Sequence, residues 1–226
     1  MKPTYITYNE LLCSKLSLIG FKRKDKNEYV REYNGIIQSL AFIHSARIPH
    51  TREYNILVGF CYPEVEKMGN ETGIYGAGAW GTNIGYLTPD NSFKTWLVDN
   101  SASEDILNGV ADEMARFIET YAMPFLNKYS DINELIYGLE KGDRLISFNY
   151  PHNLPLLYLL NGEKEDAISF LDRELKRKEI IFRNSNKDCP PEAQDNNNSY
   201  VPQAERVYKA YKEFADKLLT RIEQLG

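Results

Sequence analysis

Arg31, Gln38 and His44 are the residues of this chain whose types and spacing come nearest to chemistry. A guanidinium holds a carboxylate or phosphate with a planar fork of donors, and an imidazole moves a proton near neutral pH. Alternating side chains on either side of Asn34-Gly35 predict that the three share one face of a sheet. A two-residue Asn-Gly loop suits the type I′ turn of a hairpin, because both of its central positions need φ > 0. That turn sets Tyr33 opposite Ile36, Arg31 opposite Gln38 and Tyr29 opposite Leu40, and alternation carries the face on to Phe42 and His44. Tyr54 on the next strand and Trp80 in a glycine-rich loop complete a candidate contact surface: Tyr29, Arg31, Gln38, His44, Tyr54 and Trp80.

That surface has two readings. If a helix covers it, Arg31, Gln38 and His44 must pair with one another or with backbone, since a buried unpaired polar group costs about 1 to 3 kcal/mol. If the cover is incomplete, they line a pocket. Proton transfer by His44 would also need a nucleophile and an orienting acid, and no spacing identifies either, so no catalytic residue is assigned.

Other motifs narrow the field. Gly76-Ala77-Gly78-Ala79-Trp80-Gly81 is a literal G-x-G-x-x-G, but a dinucleotide site needs a strand before it and a helix after it, and Thr82 to Thr88 reads as strand. Paired-histidine, nucleophile-elbow and phosphate-loop patterns are absent, so neither metal nor cofactor is expected. Cys13, Cys61 and Cys189 are odd in number and far apart, which argues against a disulfide framework and a zinc site and suits a reducing compartment. Leu11-Leu12-Cys13-Ser14 superficially has the look of a lipoprotein signal, but Asn9 and Glu10 interrupt its apolar part. A net charge of -5 and a pI near 5.4 lack the basic footprint of a nucleic-acid binder, and no apolar run is long enough to span a membrane. The expectation is a cytoplasmic protein whose partner is another protein or a small ligand; oligomeric state is not legible.

The elements that position these residues follow from periodicity. A helix over about 7 to 19 opens on Thr7-Tyr8-Asn9-Glu10 and closes at Gly20 with Phe21 behind it. After the hairpin, 53 to 62 is a third strand. Residues 64 to 81 lose periodicity, 82 to 88 read as a fourth strand, and 93 to 98 as a short edge strand or the approach to a helix. From 101 the period becomes helical: a long helix begins at the capping box Ser101-Ala102-Ser103-Glu104 and ends at Pro124, and another begins at Asp131. Asn153 is expected to cap a short helix to Leu160, with a further helix through Ala167 to Leu175. Residues 184 to 202 read as a mobile loop, and an amphipathic helix fills about 203 to 224. The fold class is α+β: an N-terminal helix, an antiparallel meander of three to five strands covered by a long helix, and a helical C-terminal half. The expected domains are 1–128 for the sheet part and 129–226 for a helical extension packed on it. One stretch, Leu156 to Leu175, looks like a tetratricopeptide helix pair, but no period repeats it.

Residues 8 to 128 resemble the bacterial domain of unknown function numbered 4304. The likeness rests on Gly20-Phe21-Lys22-Arg23-Lys24, Arg31 ahead of the Asn-Gly turn, Ile37 to Phe42, Val58-Gly59-Phe60, Trp96, and Tyr121-Ala122-Met123-Pro124-Phe125-Leu126. It implies a small α+β domain and carries no activity to transfer. The leading expectation is therefore a non-catalytic binding or protein-interaction module. The alternative is a small-molecule, hydrolase-like enzyme with Arg31 and His44 in a pocket between the sheet and the helix at 103 to 122.

Overall fold

The computed structural model describes residues 4–46, 49–185 and 203–224. The chain divides into two compact units, Met1–Pro63 with Gly78–Phe148, and Glu64–Ala77 with Asn149–Gly226. The boundary expected at 128 does not coincide with this division. Helix Ile132–Glu140 belongs with the sheet, and a short helix inside the glycine-rich stretch belongs with the C-terminal helices.

In the first unit, α1 (Thr4–Leu18) ends as its sequence requires. Gly20 takes φ +88°, its N–H reaches the Ser17 carbonyl at 3.1 Å, and the Phe21 N–H reaches Leu16 at 3.0 Å. This is the paired bonding of a Schellman cap, and only glycine takes that backbone without strain. Strands β1 (Lys22–Arg23), β2 (Glu28–Tyr33), β3 (Ile36–Ser45) and β4 (Thr51–Cys61) form an antiparallel meander. Asn34 (φ 53°) and Gly35 (φ 74°) make the tight reversal between β2 and β3, and the pairs Tyr33 with Ile36, Arg31 with Gln38 and Tyr29 with Leu40 are all observed.

Strand β4 is long enough to hold two partners on its far edge. Strand β5 (Ala79–Asn83) pairs with residues 57 to 61, and β6 (Trp96–Asp99) pairs with 51 to 54. The strand expected at 82 to 88 is thus displaced: it starts at Ala79, and Ile84–Leu87 is a 3-10 turn. The reason is Asn83, whose Oδ1 accepts from Gly85 N–H and Lys94 N–H, each at 2.9 Å, and so folds the chain back on itself.

Helix α3 (Glu104–Phe117) is capped by Ser103 rather than Ser101. It does not stop at Pro124. It continues through a wider π turn, Ile118–Ala122, into α4 (Met123–Lys128). The Met123 N–H bonds back to Ile118, five residues earlier, and the wider turn carries the helix past a proline that has no N–H to give. Asp131 caps α5 (Ile132–Glu140) through Asn133 N–H at 2.8 Å and Glu134 N–H at 3.3 Å.

Helices α1, α3 and α4 cover one face of the sheet. Trp96 meets Phe117 edge-on at 5.5 Å, Phe60 packs against Phe125 and Tyr129, and Lys15 on α1 pairs with Asp112 on α3. Leu12, Leu16, Leu40, Ile56, Val58, Met114 and Leu126 are fully buried in this core. Among the described residues of this unit, Ile37, Ile43 and Leu97 on the other face are exposed.

The second unit contains the helix that the loss of periodicity concealed. This is α2 (Pro63–Thr72), with proline at its first position, where a missing N–H costs nothing. It also contains α6 (Tyr150–Leu160), α7 (Lys164–Ser185) and α8 (Gln203–Gln224). Asn149, not Asn153, is the N-cap of α6, and Asn153 is fully buried within the helix. Asn161-Gly162 turns the chain, with Gly162 at φ +82°. Tyr211, Phe214, Leu218 and Ile222 form the buried stripe of α8, and Arg221 pairs with Glu71 on α2. Of the loop expected at 184 to 202, Asn184 and Ser185 close α7 and the rest lies outside the described residues.

Candidate functional site

The six residues singled out from the sequence lie on one face of the sheet, as the register requires, and it is the covered face. Arg31 and Gln38 form a closed network. Arg31 Nε donates to Gln38 Oε1 at 2.6 Å, and its two terminal nitrogens donate to the Ile19 carbonyl at 3.1 Å and Asn127 Oδ1 at 2.7 Å. Gln38 Nε2 donates to the Leu126 carbonyl at 3.1 Å and Ser130 Oγ at 2.7 Å. The guanidinium also lies 5.2 Å from the rings of both Phe21 and Tyr33. Every arm of the fork is directed at a protein acceptor, so the group fastens the hairpin to α1 and α4.

His44 stands apart. It is six residues beyond Gln38 on β3, about 20 Å at ~3.3 Å per residue, so Arg31 and His44 do not converge on one small ligand. Its ring sits 6.2 Å from that of its register partner Tyr54. Burial, then the charges of Arg52 and Lys26, push its pKa below the ordinary value, so it is neutral at pH 7. Beside it is a shallow cleft of about 330 Å³ lined by Asp25, Asn27, Glu28, Ala41 and Ile43.

Tyr29 and Trp80 are core residues. Tyr29 is fully buried against the edge of Phe42 at 5.5 Å, and burial pushes its hydroxyl pKa up to about 12. Trp80 is 4% exposed, stacked on Phe60 at 5.2 Å. The glycine-rich stretch before it leads into β5, not into a helix, as the reading against a dinucleotide site requires.

Two features escaped the sequence reading. In the second unit, Glu174 is 7% exposed and is gripped by Arg177 at 2.8 and 2.5 Å, with Lys178 at 3.3 Å. Burial works to raise this carboxyl, but the bonds and charges of the two cations outweigh it and hold it below the usual range. Lys178 also lies 4.8 Å from the Tyr211 ring, and a cavity of about 550 Å³ opens between α7 and α8 beside it, lined further by Ile181, Ala204 and Val207. His152 packs on Tyr211 and Phe214, and burial, then Lys178, push its pKa down to about 4. An E-x-x-R-K run on a helix reads as a solvated face, and only burial distinguishes this one.

The second feature is the outward sheet face. Three registered rows cross four strands: Glu32, Ile37, Cys61, Ala79; then Val30, Ser39, Gly59, Gly81; then Glu28, Ala41, Leu57, Asn83. Ile43, Asn55 and Leu97 extend it. Ile37, Ile43 and Leu97 are 42, 45 and 59% exposed. The signal was present in Ile36-Ile37 and Ile56-Leu57-Val58, which are apolar on both faces where a half-covered antiparallel strand would alternate.

Among the described residues no three histidine, cysteine, aspartate or glutamate side chains gather as metal ligands, and no helix is long and apolar enough to cross a membrane. No family model matches the chain, and no curated protein or solved structure does so either.

Proposed function

We propose that this chain is a non-catalytic protein-interaction module of the bacterial cytoplasm, and that its contact surface is the outward face of the sheet. One observation carries the reading: large exposed side chains on that face are apolar, Ile37 and Ile43 towards the two ends of β3 and Leu97 on β6, with Val30, Ala41 and Leu57 between them. Contiguous apolar surface of this kind marks association sites. On the opposite face Arg31 and Gln38 are bonded to one another and to Ile19, Leu126, Asn127 and Ser130, about 20 Å from His44, which supports binding over turnover. The bacterial setting rests on the resemblance of residues 8 to 128 to the 4304 domain, and the reducing compartment on the odd number and wide spacing of Cys13, Cys61 and Cys189.

A photo-crosslinking phenylalanine analogue in place of Ser39, at the middle of the face, tests this in cells. A discrete covalent protein adduct, lost when Ile43 is changed to Lys, is the expected result. Crosslinking to nothing above background overturns the reading.

A further inference from the structure

We propose that the occupant of the outward sheet face is a second copy of this chain, joined by a two-fold axis that runs along the strands between β3 and β4. This rests on the reading above and names the partner.

Area is the first argument. Strands β2, β3 and β4, with β5 and β6 sharing the far edge, make four columns about 19 Å wide at ~4.8 Å spacing, and β3 runs about 33 Å, giving about 600 Å² of face per copy. Stable interfaces begin at about 600 Å² buried on each partner. Two such faces stacked at about 10 Å, strands aligned within about 30°, would form a β-sandwich.

Shape is the second argument. The axis sends β3 of one copy over β4 of its partner, and β2 over β5. Within each registered row a large residue then meets a small or neutral one: Val30 lies over Gly81, Ala41 over Leu57, Ile37 over Cys61, and Ile43 over Asn55. Gly59 sits beneath Ser39 in the middle row, where an added Cβ would come within 2.9 Å of the Trp80 carbonyl and 3.1 Å of Ser39 Oγ. Leu97, 59% exposed on β6, falls beyond the end of the partner's β2, beside the cleft of about 330 Å³ formed by Asp25, Asn27, Glu28, Ala41 and Ile43.

Charge is the third. The outward-facing acids of β2, Glu28 and Glu32, would oppose Asn83 and Ala79 on the other copy, not each other. An axis running across the strands would bring the two ends of β2 together and set Glu28 over Glu32, like charges that destabilise a contact.

Sedimentation or light scattering of the purified full chain, up to about 100 µM, provides the test. The expected mass is twice 26.1 kDa. Ile43→Lys and Leu97→Lys, both at exposed positions, should weaken dimerisation at least about tenfold. Ile106→Lys, at a 56% exposed position on α3, should leave it unchanged. A second measurement checks the register. With Cys13, Cys61 and Cys189 changed to Ser, the double variant Glu32→Cys, Ala79→Cys should be joined between chains by bis-maleimidoethane, and neither single variant should be. Within one chain these positions are three strand spacings apart, about 14 Å, beyond that linker.

A monomer throughout the range overturns the second copy, as does a dimer indifferent to both face substitutions or a double variant that fails to crosslink between chains. The Ser39 photo-adduct separates this from the broader reading: an adduct with a different protein leaves the interaction surface standing and removes the second copy, whereas no adduct removes both.

Discussion

Arg31 Nε donates to Gln38 Oε1 at 2.6 Å across a register pair of the β2–β3 hairpin, and the same two side chains reach Ile19, Leu126, Asn127 and Ser130. A charged group on the sheet is thereby tied to the end of α1 and to α4, and each of its three nitrogens donates to a protein acceptor that holds the helices in place over the strands.

Gln38→Ala should therefore destabilise the first unit by about 3 kcal/mol, because it strands a half-buried guanidinium and removes two donors from the α4 region. Arg31→Lys should cost at least about 2 kcal/mol, since a point-like ammonium does not reach three acceptors in different directions. Urea midpoints check both, with Glu119→Gln, at an exposed position away from the network, as the control of near-zero effect.

The turn is the second place to press. Asn34 and Gly35 both have positive φ, and nothing lies within 4 Å of a Cβ added at Gly35, so the cost there is backbone alone. Gly35→Val should lose about 1 to 2 kcal/mol and Asn34→Gly less than about 0.5. Equal effects of the two in denaturant titrations would show that the turn is not the tight reversal described.

Gly85 tests packing instead. An added Cβ would come within 2.1 Å of the Ser92 carbonyl oxygen and 2.5 Å of Lys94 N, both backbone atoms that have no rotamer to yield. Gly85→Ala should cost about 3 kcal/mol or more, and Asn83→Ala, which removes the two accepted bonds at 2.9 Å, about 2. Amide exchange at β5 and at 92 to 96 should rise in both variants.

His152 predicts a pH dependence in the second unit. Its folded pKa of about 4 lies below the ordinary 6.5, so the unfolded chain binds the proton first. The stability this represents is present above about pH 6.5 and is lost as pH falls towards 4, by up to about 3 kcal/mol. His152→Leu should flatten the difference in urea midpoint between about pH 7 and about pH 4.5. An unchanged slope would mean that another group titrates there.

Some of this architecture is written in short stretches. Asn34-Gly35 determines its own reversal and with it the pairing of six residues on each side, Gly20-Phe21 ends α1, Asp131 starts α5, and the stripe of α8 needs no partner to be seen. Each is a matter of backbone preference or period within a few residues. The separation of Arg31 from His44 was legible too, since six residues of strand set it.

Tertiary structure decided the rest. Gln38 finds its acceptors 88 and 92 positions away, and Arg31 finds Asn127 96 away, so whether that face was a pocket or a fastened core depended on contacts no local pattern encodes. A proline ends most helices, but around Pro124 packed residues on both sides, Ile118 and Leu126, are fully buried and keep the helix running through a π turn. Which side of the sheet is covered follows from where three distant helices settle, and that choice moves the proposed contact surface from His44 and Arg31 to Ile37, Ile43 and Leu97.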